Sequence, residues 1–547
     1  MKKIKKFNLF FFVIIIAIFF RFYHLSFAPP SVSLDEASIG YNAYSILKTG
    51  ADEYGNKFPI LLRAYDDWRP ALYVYLVMPF VQLFDLTAFA VRLPSVILSV
   101  ITVIAVYFLT KELFKNSLKI SEVAMLLLAI SPWHIYISRL GHEVNLSLSF
   151  WIFGLLFFFK GINKNTEKFN WKKVCYYSIS ALFFAISFGS YQSAKLFIPI
   201  MVLILIVLYH KELFARKKEI ILPFVIGVVF LLPTVLSSFE PNALIRLQGT
   251  NIFAVEKNRY YQESLLLKKA KEDGDIIGEI VHNRRILTTR IFFEQYISHF
   301  NYKWLFANSG KENHKTSGVG LFYSWEAVFI LLGFLVFFKE KIPLKIKLFL
   351  IFWIAVAPLS SAITTDAPHA MRTYSVLPAP QIIEAYGIYY IFSLFKKYSK
   401  LIYTLFYLIM IGTIFYFARH YFFIFPKKES SSFQYALYQA VPFVLSCENR
   451  YNRIVFSNKD NLYQSYMFFL FYSRYDPKKY QMQDGTISGG FAKTHAFDKY
   501  EFRSIAYDIE KEKSLLIGNK SDFPKDKKPL AVFKDLDGKE AIAAVER

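Results

Sequence analysis

Apolar residues along this chain fall in runs of about 16–20 positions, separated by short lysine-rich connections. Runs of that length suit helices that cross a hydrocarbon core of about 30 Å. The first lies in MKKIKKFNLFFFVIIIAIFF. A basic start and an apolar core also describe a signal peptide, but no small-x-small cleavage site follows. The segment therefore reads as an uncleaved first span with Lys2, Lys3, Lys5 and Lys6 in the cytoplasm. Further spans are expected near 88–110, 121–138, 145–160, 174–190, 194–210, 219–237, 321–338, 346–362, 376–395 and 401–419.

The run ALYVYLVMPFVQLFDL (71–86) is short for a span and holds Pro79 and Gln82. Charge parity decides its place. If it does not cross, every short loop on the inner side is basic, carrying Lys111, Lys115 and Lys119; Lys164, Lys168, Lys172 and Lys173; Lys211, Arg216, Lys217 and Lys218; Lys339, Lys341, Lys345 and Lys347; Lys396, Lys397 and Lys400. Counting it as a span would put all of them outside, against the positive-inside bias. The pattern thus predicts a polytopic α-helical membrane protein of about eleven spans, with 71–86 re-entrant or interfacial. The outer face then receives 24–87, the turns 139–145, 189–195 and 364–374, a long loop over 238–320, and everything after Arg419. Within the long loop, 255–300 reads as amphipathic helix.

The composition shifts near Pro426. RIVFS (453–457), FRSIAYD (502–508), SLLIG (514–518) and PLAVF (529–533) read as short strands, with a helix over 461–475. The chain divides on this reading into a membrane domain, 1–425, and a small extracytoplasmic α/β domain, 426–547. No G-x-G-x-x-G follows any strand, so a dinucleotide site is not expected. The formal charge of +23 would suggest nucleic acid in a soluble chain. Here the lysines sit between apolar runs, where they set topology and meet lipid headgroups, and no nucleic-acid partner is expected. Cys175 and Cys447 fall on opposite sides of the membrane and imply neither a disulfide nor a metal.

Candidate chemistry gathers at the outer face. In SLDEASIGYNAYSILKTGADEYGNKFP (33–59), Asp35 and Glu36 open a short helix that Gly50 would cap. Ser33-x-x-Glu36 also fits a capping box. Adjacent positions on a helix point about 100° apart, so one carboxylate can face a reacting centre while the other orients or caps. RLGHEVN (139–145) adds Arg139, His142, Glu143 and Asn145, either a wet interfacial turn or a second carboxylate brought to the first. His369 and Arg372, three apart, would share a helical face and suit a phosphate. Arg63 and Arg69 offer the same chemistry, and Tyr41 lies on the apolar side of the acidic helix. Asp66-Asp67 lacks metal-pair spacing, and Asp52-Glu53 reads as loop packing. There is no P-loop, nucleophile elbow or H-E-x-x-H.

The stretches LDEASIGYNAYSILKTGADEYGNKFP, PALYVYL (70–76), AVRLPSVILSVITVIAVYFLTKELF (90–114) and SPWHIYISRLGHEVN (131–145) resemble membrane glycosyltransferases of the GT-C fold. They are most similar to family 39, the protein O-mannosyltransferase-like enzymes and the lipid A aminoarabinose transferases. The likeness covers residues 1–160 well and continues to 360 as alternation of spans. It implies a polyprenyl-phosphate sugar donor and transfer at the outer leaflet of a bacterial-type inner membrane. It also implies Asp35 as the catalytic base with Glu36 beside it, Glu143 as the acid of the second outer loop, and basic outer-loop residues on the donor phosphate. Any divalent cation, Mg or Mn, would fall to Asp35 and Glu143, but the D-x-D of oligosaccharyltransferases is missing from that loop. The acceptor is a protein, lipid or glycan. A lipid-linked sugar flippase would instead place charges at mid-membrane, whereas acids are sparse in these spans. An O-antigen polymerase or ligase would keep its Arg and His in a large late loop, and nothing positive supports a sensor or scaffold.

Overall fold

The computed structural model describes residues 9–65, 67–114, 117–164, 168–240, 251–252, 256–307, 315–394, 399–483 and 494–547. Lys2, Lys3, Lys5, Lys6, Asp66, Lys115, Lys396 and Lys397 lie outside the described residues. The chain folds into two compact units. The first comprises Met1–Ala17, Val100–Ile137 and Val144–Ile411; the second comprises Ile18–Ser99, Ser138–Glu143 and Gly412–Arg547. This division differs from a boundary at residue 426, because the C-terminal residues are compact together with Ile18–Ser99 and Ser138–Glu143.

Helices lie over the spans expected beyond residue 140: Glu143–Asn163, Trp171–Ser190, Ala194–Leu208, Lys217–Ser238, Glu326–Lys339, Leu344–Val356, Ala379–Leu394 and Ser399–Arg419. The span expected at 121–138 is two helices, Leu118–Ile130 and Pro132–Ser138, bent by 57°. Among the described residues, five helices of the whole chain are long and apolar enough to cross a membrane, or six if the bent pair is one span. Leu9–Phe22, Leu72–Phe84 and Ala194–Leu208 are apolar but shorter. The amphipathic stretch of the long loop resolves into Lys257–Asp273, Ile276–Val281 and Arg284–Ser298. The sparseness of acids in the spans needs correction, because Glu326 and Glu384 are fully buried in two of these helices.

The second unit is built around one helix. Its N-terminal part holds α2 (Leu34–Thr49), following α1 (Leu9–Phe22), then a hairpin of β1 (Leu61–Ala64) and β2 (Asp67–Pro70), α3 (Leu72–Phe84) and the start of α4 (Ala88–Leu113). At about 1.5 Å per residue, the 13 residues of α3 reach roughly 20 Å. That is less than the roughly 30 Å of a hydrocarbon core. The C-terminal part supplies α5 (Tyr435–Cys447), α6 (Ser465–Ser473) and α7 (Pro477–Met482). Its sheet has the order β4-β5-β3-β6-β8-β7, from strands β3 (Arg453–Phe456), β4 (His495–Phe497), β5 (Tyr500–Phe502), β6 (Ser514–Gly518), β7 (Ala531–Lys534) and β8 (Glu540–Glu546). β3 runs parallel to β5 and β6, and the other pairs are antiparallel. The strand expected over 502–508 ends at Phe502, and Tyr507–Ile509 is a 3-10 turn.

The α2 N-terminus forms the capping box that its spacing predicts. Ser33 Oγ accepts from the Glu36 N–H at 3.2 Å, and the Glu36 carboxylate accepts from the Ser33 N–H at 2.8 Å. Gly50 closes the other end at φ +75°. Glu36 also binds Arg92 of α4, with Nε at 2.7 Å and Nη2 at 3.1 Å, and accepts from the Gly141 N–H at 2.8 Å. The remaining Arg92 donors reach the carbonyls of Leu25, Pro29 and Ser31. Glu36 and Arg92 are both buried, and every charge is met by hydrogen bonds, the condition under which a buried pair is tolerated. Gly141 must be glycine here, since a Cβ would stand 2.8 Å from the Val91 carbonyl oxygen.

Further along, α2 is buried nearly all round rather than on one side, and the C-terminal part covers it. The Tyr41 hydroxyl donates to the Tyr475 carbonyl at 3.1 Å, Gln481 Nε2 donates to the Asp52 carbonyl at 2.7 Å, and Ser31 pairs with the Tyr472 hydroxyl at 2.5 Å.

Removing one partner of the buried pair should be severe. Arg92→Ala is expected to cost about 3–5 kcal/mol, because Glu36 is left charged and unpaired. Gly141→Ala should cost about 1–3 kcal/mol by overpacking against Val91. Thermal unfolding of the full-length variants in nanodiscs checks both.

Candidate functional site

With Glu36 turned inward, Asp35 is the acid of the pair that faces out. Its side chain is 50% exposed, whereas that of Glu36 is 1% exposed. Arg69 Nη1 lies 3.2 Å from Asp35 Oδ1, and His142 Nε2 lies 3.8 Å from Oδ2. His142 Nδ1 is in turn 3.3 Å from Glu143 Oε2. The four side chains therefore form a string, Arg69–Asp35–His142–Glu143, across three separate pieces of chain. β2 delivers Arg69 by pairing with β1 in the register Leu62↔Arg69. The helix cap fixes Asp35, and the close approach of Gly141 to Val91 carries the adjoining His142 and Glu143 to it.

The hairpin and the C-terminal part wall this string. The Tyr65 hydroxyl donates to the Leu34 carbonyl at 2.8 Å, immediately before Asp35. Tyr463, just ahead of α6, lies near enough for the Asp35 charge, after burial, to push its hydroxyl above the ordinary tyrosine range. Tyr463 and Tyr65 were not singled out from the sequence, and no local motif marks them. Arg92 was also missed, though a lone arginine inside an apolar run does carry a signal, because it demands a buried partner.

Several expected site residues have other duties. Glu36 caps and orients. Tyr41 is buried between α2 and the C-terminal part, where its hydroxyl is taken by the Tyr475 carbonyl. Arg139 is fully buried and donates to the carbonyls of Phe20, Arg21 and Ala28, with its guanidinium over the Tyr421 and Phe422 rings, so it supports the loop. Arg63 stacks on Tyr54 at 4.4 Å.

Asn145, His369 and Arg372 belong to the first unit. Asn145 is buried and accepts from the Tyr374 hydroxyl at 3.2 Å. His369 and Arg372 do not share a helical face, because residues 370–373 form a turn. In it the Arg372 N–H meets His369 Nδ1 at 3.4 Å, and the Arg372 guanidinium donates to Thr364 Oγ1 at 2.9 Å and to the Thr365 carbonyl. A 3-10 turn over Tyr374–Val376 follows, and the next helix starts only at Ala379.

A divalent cation does not fit the donor set. Among the described residues no three His, Cys, Asp or Glu side chains converge on one point, and Asp35 already faces an arginine. What the string offers is a carboxylate open to solvent, an arginine for a phosphate, and a histidine between two acids.

The family model described as dolichyl-phosphate-mannose-protein mannosyltransferase matches residues 68–237. Among solved structures, the archaeal oligosaccharyltransferase AglB from Archaeoglobus fulgidus, in complex with an inhibitory peptide and a dolichol-phosphate, is similar with a TM-score of 0.50 and 14% identity, over 85% of this chain and 63% of that one. The Archaeoglobus fulgidus oligosaccharyltransferase in complex with Zn and sulfate gives a TM-score of 0.52 at 14% identity, over 85% and 61%. ArnT from Cupriavidus metallidurans bound to undecaprenyl phosphate aligns over 98% of this chain and 97% of that one, with 10% identity and a TM-score of 0.48. No curated protein sequence matches the chain. The chain spans about three fifths of the length of the oligosaccharyltransferase chains, and at such identities the likeness is one of fold. The protein has the GT-C fold of membrane glycosyltransferases, and its residues 68–237 are similar to the dolichyl-phosphate-mannose-protein mannosyltransferases.

Proposed function

We propose that this chain is an inverting glycosyltransferase that moves a sugar from a polyprenyl-phosphate carrier to an acceptor hydroxyl at the outer face of the membrane. The observation that carries the reading is the contrast within Asp35-Glu36: one carboxylate is locked into the scaffold, and its neighbour is half exposed beside an arginine and a histidine. The topology proposed with it has about eleven spans, a cytoplasmic N-terminus and an extracytoplasmic C-terminal part in a bacterial-type inner membrane.

A polyprenyl phosphate is a good leaving group, so the protein needs no strong general acid. Asp35 takes the proton from the acceptor hydroxyl, and that oxygen forms a bond to the anomeric carbon. The bond from the anomeric carbon to the phosphate oxygen breaks, and its electron pair leaves with the phosphate. Arg69 meets that charge, and Arg63 adds to the local positive field. Arrival of the donor phosphate competes for Arg69 and frees the Asp35 carboxylate for the acceptor. His142, set between Asp35 and Glu143, holds the carboxylate in line. A glycosidase would need two open carboxylates facing each other across the bond, and here the second acid, Glu143, is buried.

Asp35→Asn should lower release of polyprenyl phosphate by roughly 10²–10⁴-fold, the usual share of a general base, while donor binding holds within a few-fold. The test uses full-length protein in lipid nanodiscs with a panel of polyprenyl-phosphate sugars and cell-envelope extract as acceptor. Equal release by wild type and variant would reduce Asp35 to a helix-cap residue. Movement of the lipid-linked sugar between leaflets without release would favour a flippase, a reading to which the buried Glu326 and Glu384 lend their weight.

A further inference from the structure

Glu53, in the loop that leads from α2 to β1, is fully buried and carries one unmet oxygen. Its Oε1 accepts from Asn42 Nδ2 at 3.0 Å, and its own N–H donates to Asn42 Oδ1 at 2.9 Å. Among the described residues, its Oε2 has no hydrogen-bond partner. Asn42 stands on α2 two turns beyond Asp35, so this exchange fastens the loop to the helix that bears the proposed base. The neighbouring Asp52 is a turn residue, accepting from the Tyr54 and Asn56 N–H groups at 2.9 Å each.

The titratable and charged groups around Glu53 come from every element packed on it. They are Asp52 in the loop, Tyr41 of α2, Arg63 of β1, Tyr65 of the hairpin turn, Arg69 of β2 and Tyr466 of α6. Two of them link it to the site. Arg69 is the partner of Asp35, and Tyr65 feels Arg69, Glu53 and Asp35 together. An ionised Glu53 would leave a buried anion with one hydrogen bond and would compete with Asp35 for Arg69.

We propose that Glu53 is a positioning residue that keeps its proton while the enzyme works, leaving Arg69 to Asp35 and the donor phosphate, and that its ionisation draws Arg69 away and slows transfer. The inference rests on the transferase reading of Asp35 and Arg69. Burial, ahead of the opposing Asn42 hydrogen bond and the added repulsion of Asp52, pushes this carboxyl up to about 8. The folded protein then holds a proton that the unfolded chain, titrating near 4.5, gives up. Its contribution to stability is therefore full below that value and is lost as pH rises towards about 8.

Full-length wild type and Glu53→Gln in nanodiscs are compared over about pH 5–9 by melting temperature and by polyprenyl-phosphate release. The variant should gain on the wild type in melting temperature as pH rises, levelling off near a pH of about 8. Wild-type release should fall roughly tenfold between about pH 7 and about pH 9, as one titrating group loses its proton, while the variant's profile stays flat. If the glutamine variant does not fold, Glu53→Met, of similar length and without a titratable group, serves the same comparison. Parallel melting profiles would overturn the proton-holding role. The expected melting gain with an unchanged rate profile would overturn the link to Arg69. If neither protein releases polyprenyl phosphate the transferase reading fails, and parallel melting profiles would still refute a proton on Glu53.

Discussion

The buried pair of Glu36 and Arg92 is the constraint from which the rest of the site follows. A carboxylate and a guanidinium without water are tolerated only when each donor and acceptor is met. Meeting them draws together the start of α2, the chain at Leu25–Ser31, α4 and the turn at Gly141. The first two adjoin in sequence, but Arg92 lies 56 residues and Gly141 105 residues from Glu36. Once they are fixed, the residue before Glu36 points about 100° away around the helix, into the opening between the hairpin and the 139–143 turn. Asp35 owes its exposure to the burial of its neighbour.

The C-terminal part extends the same logic. Its helices cover the remaining sides of α2 through Tyr475, Gln481 and Tyr472, and it brings Tyr463 beside Asp35. A helix bearing a solvent-facing acid is thereby made as rigid as a core element. Precise placement of that acid is what proton transfer demands, since a general base works only within hydrogen-bond reach of the proton it takes. The loop carrying Glu53 fastens the same helix through Asn42.

Much of this was legible in the sequence, for physical reasons that differ by element. Apolar runs located the helices because they reflect the cost of placing polar groups in lipid. The capping box and Gly50 were readable because they are local. The strands at 453–456 and 514–518 matched a β-branched, apolar pattern. The strand EAIAAVE (540–546) was not readable: its alanines favour helix, and only pairing with β6 and β7 makes it extended. Site residues split along the same line. Asp35, Arg69, His142 and Glu143 could be nominated by type and position, but the partnership of Glu36 with Arg92 spans 56 residues. The burial of Tyr41 and Arg139 depends on the C-terminal part and on the residues near Tyr421, and no local pattern foretells either.

The most direct test of the central claim is an experimental structure of the full-length protein in a nanodisc with bound polyprenyl phosphate. The account predicts the phosphate within hydrogen-bond reach of Arg69, with the Asp35 carboxylate released from that arginine and Glu36 still held by Arg92. A phosphate bound away from Arg69, with the Arg69–Asp35 pair intact, would contradict it.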